Sequence, residues 1–307
     1  MNCESLKVAI VQQSPEYLDK KGCLDLAVKT VERACNESCR LVVFGETWFT
    51  GYPVWLDYYH KIALWDYTPT KKLFGRMCEN ALKIPGAETA TFCELSKQHE
   101  VTIVLGCNEI VNGTIYNTAL IFTPNKGIAN HHRKLMPTFT EKLIYGIGDG
   151  RGLQSVSTSF GRLTVSICWE HWMPLVRQAL HNSGEDIHIA LWPKVHEMHQ
   201  VASRHYAFEG RCFVIAAGQM LNRDSMPEVL TGEKSDGPEW LLNGGSCIIR
   251  PDGSYQLEPQ FDLDQVLYHE IENLIQVEEE RMTLDLTGHY SRSDIFQLGV
   301  NRFRKDN

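Results

Sequence analysis

The chain has 307 residues, of which 43% are hydrophobic and 22% are charged, and its formal net charge is -8 at pH 7. This acidic balance argues against binding to nucleic acid or to an anionic membrane. No apolar run approaches the roughly 18 residues that span a bilayer, and the N-terminus lacks the basic region of a signal peptide. We therefore predict a cytoplasmic protein, and because no composition break suggests a linker, we expect a single domain over residues 1–307.

Short apolar, β-branched runs alternate with helical patterns along the chain. Several runs are apolar nearly throughout, as expected of strands covered on both faces. Residues 124–127 and 251–253 resemble hairpin turns, and the polar stretch 222–239 is predicted to be a surface loop. This mixture predicts a layered α/β or α+β domain. The predicted strands span residues 6–11, 40–44, 101–106, 114–123, 163–167, 187–192, 212–217 and 246–250, and the predicted helices span 21–36, 89–99, 174–182 and 195–209.

Ten cysteines are scattered along the chain without a Cys-x-x-Cys pair, which argues against zinc-ribbon and thioredoxin-like sites. Cys168 differs from the others because it ends an apolar run and precedes a helix that Pro174 would start. A helix N-terminus favours a thiolate, and the backbone N–H groups of such a turn can face an anion that develops on a substrate. A buried structural cysteine at the end of a strand is the alternative.

Two charged residues are also candidates for a functional site. Glu46 comes directly after the run 41–44, where burial would raise its pKa and suit it to proton transfer near neutrality. The alternative is a structural salt bridge. Lys134 follows the basic cluster 131–133 and could supply a fixed positive charge, whereas a solvated basic edge of a strand is the commoner explanation of such a cluster.

These segments, in this order and spacing, resemble the nitrilase superfamily over nearly the whole chain. Residues 46–53 contain Glu-Thr-Trp and Gly-Tyr-Pro, and residues 132–138 read His-Arg-Lys-Leu-Met-Pro-Thr. Residues 148–150 read Gly-Asp-Gly, 168–170 read Cys-Trp-Glu, and 288–292 read Gly-His-Tyr-Ser-Arg. Each block is weak alone, but together they are specific and favour the nitrilase branch over aliphatic amidases and carbamoylases.

The resemblance implies a four-layer α-β-β-α sandwich with the catalytic residues near the C-terminal ends of strands. It implies a catalytic set of Glu46, Lys134 and Cys168, with Glu141 as a second glutamate that holds Lys134. Glu46 would act as the base, Cys168 would attack a nitrile carbon, and Lys134 with the backbone N–H of Trp169 would stabilise the charged intermediates. No metal and no organic cofactor is expected.

The substrate and the assembly state follow from the same resemblance. The expected partners are a small nitrile and further copies of the chain, without nucleic acid or membrane. A homodimer is expected to form through the helices 174–182 and 195–209. Because the chain lacks a long tail after residue 292, we expect a dimer or short oligomer rather than filaments. The outer apolar positions of these helices are predicted to be Val176, Leu180 and Met198, and the residues predicted to line the substrate pocket are Tyr52, Tyr145, Trp169, Trp192 and Pro193, with a plain core role as the alternative for Trp192.

Other interpretations are less favoured. His196 and His199 are three residues apart, not the four of the zinc-protease helix motif, so no metal site is predicted. A site completed by His205 is the alternative. The glycine-rich stretch 146–152 follows no buried strand and opens no clear helix, so we interpret it as a loop and not as a phosphate site. The alternative functions are an amidase of the same superfamily and a catalytically silent scaffold subunit.

Overall fold

The computed structural model describes residues 5–230 and 237–304. The strands are β1 (Ser5–Val11), β2 (Leu41–Phe44), β3 (Thr102–Val111), β4 (Thr114–Thr123), β5 (Gly127–Arg133), β6 (Val156–Thr158), β7 (Gly161–Ile167), β8 (Ile187–Leu191), β9 (Phe213–Ala217), β10 (Met220–Asn222), β11 (Trp240–Ile249), β12 (Tyr255–Phe261) and β13 (Val266–Glu272). The helices are α1 (Lys20–Asn36), α2 (Trp55–Tyr58), α3 (Thr68–Asn80), α4 (Ala87–Gln98), α5 (Pro174–His181), α6 (Glu197–Gly210) and α7 (Gln276–Arg281).

The strands form two sheets. Sheet 1 has the order β13-β1-β2-β3-β4-β5, and sheet 2 has the order β10-β11-β9-β8-β7-β6 with β12 paired to β11. In sheet 1, β1, β2 and β3 run parallel, and in sheet 2, β7, β8 and β9 run parallel. Parallel neighbours direct their carboxyl ends to the same edge, where side chains that follow the strands can meet.

The two sheets pack face to face with helices outside. On β1, Val8 and Ile10 join a core shared with sheet 2, whereas Ala9 and Val11 pack with residues of α1 and α4. This alternation is the period of two expected of a strand covered on both faces. On the other side, α6 packs against sheet 2 through residues such as Tyr206. The layers are therefore α-β-β-α, as the resemblance predicted.

Most predicted elements are present, with boundary shifts of a few residues. Helix α3 and strand β13 were not predicted, and the predicted loop 222–239 contains two short 3-10 turns in its described part, while residues 231–236 lie outside the described residues. On α5, Val176 and Leu180 are buried against Leu153, so the prediction that they face outward was wrong. Met198 of α6 is exposed, as predicted.

Close approach of the backbone brings one loop onto the inner face of sheet 1. The segment after β2 passes over Gly106 of β3, where an added Cβ would lie 2.0 Å from the carbonyl oxygen of Gly45. Phe49 N–H also donates to the Gly106 carbonyl at 2.9 Å. Glycine is needed at position 106 because any side chain would displace the loop that carries Glu46.

Among the described residues, none of the helices combines the length and the apolar character that crossing a membrane requires. The cytoplasmic location and the single domain stay predictions.

Candidate active site

Lys134 lies at the centre of a buried group of charges. It follows β5 directly, and its side chain is 1% exposed. The Nζ atom is 2.8 Å from Glu46 Oε1, and 2.9 and 2.8 Å from the two carboxylate oxygens of Glu141. Burial alone would lower the pKa of Lys134, but the surrounding negative groups raise it well above its ordinary value. The lysine is therefore a permanent cation.

Glu46 is the member of this group with an unused atom. Its Oε1 accepts hydrogen bonds from Lys134 and from Asn117 Nδ2 at 2.7 Å, whereas its buried Oε2 has no hydrogen-bond partner among the described residues. Burial raises the pKa of Glu46 to about 7, against the opposing effect of Lys134. A carboxylate with a free oxygen and such a pKa is suited to accept and return a proton near neutrality.

Glu141 is fixed by three neighbours. Its carboxylate binds Lys134 and accepts a hydrogen bond from Tyr52 Oη at 2.8 Å. The backbone N–H of Thr138 donates to Oε2 at 2.7 Å, which caps the 3-10 turn Phe139–Leu143 that carries the residue. With both oxygens occupied, Glu141 is arranged to hold Lys134 in place.

Cys168 lies in the turn that follows β7, with a backbone φ of 52°. This left-handed conformation is unfavourable for a residue with a side chain, and such strain is concentrated at functional sites. The cysteine is 5% exposed. Burial raises the pKa of the thiol well above its ordinary value, as does Glu46, while Lys134 and the backbone N–H of Trp169 act in the opposite direction. The thiol therefore needs a base to ionise, and Glu46 is the charged group with the largest effect on it.

Glu170 is a buried residue whose role the sequence did not reveal. Its Oε2 accepts from the backbone N–H of Ile167 at 2.7 Å, and its Oε1 accepts from the backbone N–H of Leu135 at 2.8 Å. His132 Nε2 lies 2.8 Å from the same carboxylate. One side chain thus connects the residue before Cys168 with the residue after Lys134, although the motif had suggested only that Glu170 belongs to the family pattern.

Comparison with known proteins identifies the family of this chain. The family model of carbon-nitrogen hydrolases matches residues 7–277. The chain is 32% identical over 297 residues to an aliphatic nitrilase of Sinorhizobium fredii, covering 96% of this chain and 95% of that protein. It is 34% identical over 296 residues to a nitrilase of Bradyrhizobium diazoefficiens, covering 96% and 92%. The chain belongs to the carbon-nitrogen hydrolase family, within the nitrilase superfamily. It is accordingly an enzyme of carbon–nitrogen bond hydrolysis.

The fold of this carbon-nitrogen hydrolase is also similar to solved structures. Nit3 of Saccharomyces cerevisiae, a member of branch 10 of the nitrilase superfamily, superposes with a TM-score of 0.71 at 20% identity. The match covers 94% of this chain and 97% of that chain. At this identity the likeness concerns the fold, and it confirms the layered sandwich.

The residues predicted to line the substrate pocket of the hydrolase have different environments. Tyr52 is half-buried against Glu141, and Tyr145 is buried with its Oη 2.7 Å from Asn108 Oδ1. Pro193 is buried and follows Trp192 after β8. Trp192 is wholly buried and stacks on His171 and His199, as its core interpretation expects, while the Trp169 ring is 53% exposed. Their contact with a substrate stays a prediction.

The histidines of α6 were the alternative metal ligands. Within residues 5–230 and 237–304, no group of three or more His, Cys, Asp or Glu side chains is arranged to hold a metal ion. His199 instead donates through Nδ1 to the Lys194 carbonyl at 2.7 Å, and its ring stacks on Trp192. These contacts give His199 a packing role beside the site.

Proposed function

We propose that this hydrolase is a nitrilase that converts a small organic nitrile to its carboxylic acid and ammonia, with Cys168 as the nucleophile. The observation that carries the proposal is the arrangement of Lys134 between two buried glutamates, one of which keeps a free carboxylate oxygen. A scaffold subunit would have no need to bury this cation and these carboxylates, because removing water from such charges is costly unless they serve a purpose.

The first half of the reaction forms a covalent intermediate. Glu46 takes the proton of the Cys168 thiol while the sulfur attacks the nitrile carbon, and the C–S bond forms as one C–N π bond breaks. The nitrogen that gains the electron pair is then protonated, which gives a thioimidate. Lys134 and the backbone N–H of Trp169 stabilise the charge that develops during this addition.

The second half releases the two products. Water, activated by Glu46, adds to the thioimidate carbon to give a tetrahedral intermediate. Proton transfer to its nitrogen makes ammonia the leaving group, and a thioester remains on Cys168. A second water hydrolyses the thioester to the acid and restores the thiol. Expulsion of the thiolate instead of ammonia would give the amide, so the position of the proton on nitrogen determines the product.

Two nitrilase-named relatives support a nitrile as substrate in preference to an amide. The test is to follow ammonia release from aliphatic, aryl and arylacetonitriles and from the matching amides. We expect the nitriles to react far faster and the acid to be the main product by chromatography. Faster release from amides would reassign the protein as an amidase, and a predominance of amide product would reassign it as a hydratase.

Substitution of the nucleophile tests the mechanism. Cys168→Ala and Cys168→Ser should abolish ammonia release and leave the far-UV circular dichroism unchanged. Cys35→Ala is the matched control, because Cys35 lies on α1, away from the charged group, and should retain activity. Substantial activity in Cys168→Ser would contradict the assignment of the nucleophile.

We also propose that the enzyme forms a homodimer through the surface of α5, α6 and the turn that carries Cys168. Helices α5 and α6 are joined by an ion pair between Arg177 and Glu209 at 2.6 Å. Clustered exposed apolar side chains mark surfaces that associate with other molecules. On α5, α6 and the turn that carries Cys168, the exposed apolar side chains are Trp169, Trp172, Met173, Leu175, Met198, Val201 and Phe208.

Light scattering on the purified protein tests the dimer. Leu175→Glu and Met198→Glu place charges on this surface without touching the catalytic group, and we expect both to shift the protein towards monomer. A wild-type protein that is monomeric and fully active would contradict the proposal, and long fibres in electron micrographs would contradict the expected limit on size.

A further inference from the structure

A second buried polar network lies directly behind the nucleophile. Its centre is His171, three residues after Cys168 and 1% exposed. The Nδ1 atom of His171 lies 2.6 Å from the carbonyl oxygen of Cys168. On its other side, Nε2 lies 2.9 Å from His188 Nε2 and 3.0 Å from Ser166 Oγ. The mechanism described above does not use any of these side chains.

The contacts determine which ring nitrogen of His171 carries the proton. A carbonyl oxygen only accepts hydrogen bonds, so Nδ1 must carry hydrogen and donate to Cys168. Burial lowers the pKa of His171 well below its ordinary value, and the neighbouring His188 lowers it further, so the ring is neutral. In the neutral ring Nε2 is then unprotonated, and it accepts a hydrogen bond from Ser166 or His188.

The carbonyl that His171 binds belongs to a functional peptide group. The Cys168 C=O and the Trp169 N–H are the two ends of the same planar peptide unit. The Trp169 N–H lowers the pKa of the Cys168 thiol, and in the proposed reaction it stabilises developing negative charge. A donor to the carbonyl end polarises the peptide and makes its N–H a stronger donor, since hydrogen bonds in a chain strengthen one another.

We propose that His171 is a positioning residue that orients and polarises the Cys168–Trp169 peptide through its Nδ1–H, so that the Trp169 N–H faces the sulfur and the oxyanion. The role rests on the proposed function, because it concerns the same nucleophile. It also accounts for the left-handed φ of 52° at Cys168. That conformation needs an external contact to hold it, and the hydrogen bond from His171 supplies one.

The remaining contacts of His171 fix the ring in the required orientation. It stacks on Trp192 with ring centroids 4.7 Å apart and an interplanar angle of 27°. Its partner His188 stacks on Tyr206, and Tyr206 donates to Glu185 at 2.8 Å. The ring therefore cannot flip without breaking several buried contacts, and the tautomer is maintained.

Three substitutions separate hydrogen bonding from packing. In His171→Asn, the amide nitrogen occupies nearly the position of Nδ1 and can still donate to the Cys168 carbonyl. In His171→Gln, the amide lies one carbon further out, near Nε2, and His171→Phe fills the space without any donor. If packing alone mattered, Phe would be tolerated better than Asn, because Asn leaves a void. The hydrogen-bond role requires the opposite order.

Two rates and the melting temperature are measured for each variant. The rate of alkylation by iodoacetamide, assigned to Cys168 by peptide mass spectrometry, reports the reactivity of the thiol in the absence of substrate. The kcat and KM for a nitrile report turnover. We expect His171→Phe and His171→Gln to lose about tenfold in kcat with a much smaller change in KM, as for one hydrogen bond that acts on developing charge. His171→Asn should retain most of both rates.

Equal or higher activity in His171→Phe than in His171→Asn would overturn the proposal. If the variants do not fold, the ¹⁵N chemical shifts of His171 in the wild-type protein decide it, because they must show a protonated Nδ1 and an unprotonated Nε2. The reverse tautomer would overturn it. Absence of nitrile hydrolysis in the wild type would refute the proposed function instead, and the alkylation rates would still test His171.

Discussion

Arg133 and Lys134 are consecutive residues, and each binds a buried glutamate, yet the two glutamates are affected in opposite ways. Glu109, on β3, receives Arg133 Nη2 at 2.5 Å and Nε at 2.9 Å, and its pKa is lowered to about 2. Glu46 receives Lys134 Nζ at 2.8 Å, and its pKa is raised to about 7. Neither side chain is exposed to solvent, so solvent exposure does not distinguish them.

The number of donors explains the contrast. Burial would raise the pKa of Glu109, but Arg133, His131 and Thr118 together donate to both of its oxygens and outweigh this effect. In the part of the chain that the structure describes, Glu46 has fewer side-chain donors, all on Oε1, and it shares its lysine with a competing carboxylate. Glu109 and Arg133 thus form a structural ion pair in which both carboxylate oxygens are hydrogen-bonded. Glu46 keeps a free carboxylate oxygen and a raised pKa, so it can accept a proton during a reaction.

The pairs lie on opposite faces of one hairpin. In the register of β4 and β5, Thr118 pairs with Arg133, and the preceding Asn117 accepts the backbone N–H of Lys134 at 2.8 Å. Side chains alternate across a strand, so a single-residue step moves the contact from the outer face of sheet 1 to the face that meets sheet 2. One hairpin thus supplies a structural ion pair on its outer face and the proposed catalytic site on its inner face.

The largest expected effect comes from removing the charge of Glu46. Glu46→Gln keeps the shape but cannot take the thiol proton, so kcat/KM should fall by about 10²–10⁴-fold. Stability should not fall at neutral pH. The raised pKa means that folding favours the protonated form, so the wild type loses stability as the pH rises from about 4.5 towards about 7, and the glutamine does not. Steady-state ammonia release and chemical denaturation measure the two effects; wild-type turnover in Glu46→Gln would contradict the role of base.

The matched substitution Glu109→Gln should show the reverse pattern. It leaves Arg133 without its buried counter-ion, and breaking such a pair costs about 3–5 kcal/mol of unfolding free energy. The pKa of Glu109 is lowered, so its contribution is complete above about 4.5 and is lost as the pH falls towards about 2. The difference in unfolding free energy between the wild type and Glu109→Gln, measured by urea denaturation, should therefore become smaller in acid. The kcat of the folded variant should stay near the wild-type value. A difference that does not change with pH would contradict the lowered pKa of Glu109.

The nearly continuous apolar runs predicted a layered α/β or α+β domain, because such runs are easily separated from the helical patterns. The two-sheet sandwich was implied by the family resemblance. The sequence suggested Glu46 and Cys168 because they stand at the ends of such runs, and Lys134 because it follows a basic cluster, and the family resemblance joined the three as a catalytic set. Their placement in one group depends on strand order and on the loop that crosses Gly106, which a local pattern does not contain. Val176 and Leu180 show the same limit of a local pattern. Helical spacing shows that they share one face of α5, but not whether that face packs against the core or faces outward.

The sequence did not identify Glu109, Glu170 or His171. Glu109 lies within a strand, and only the pairing of β3, β4 and β5 shows that its neighbours are Thr118 and Arg133. Glu170 and His171 stand close to Cys168 in the sequence, but their partners are remote in the chain or belong to the backbone. A sequence motif can include such residues, but it does not show which groups they contact.

The smallest expected effects come from the neutral donors, one on each face of the hairpin. Asn117→Leu removes a hydrogen bond that stabilises the Glu46 carboxylate, so the pKa of Glu46 should rise further. Because the base must be deprotonated, the acid limb of the pH profile of kcat/KM should move to higher pH, by less than about one pH unit, as expected from loss of one hydrogen bond of about 1 kcal/mol.

Thr118→Val removes the equivalent donor to Glu109 and should lower the unfolding free energy by about 1 kcal/mol, without moving the acid limb. If both substitutions shifted the limb equally, the two glutamates would be coupled through the hairpin, and the division into a structural face and a catalytic face would be wrong.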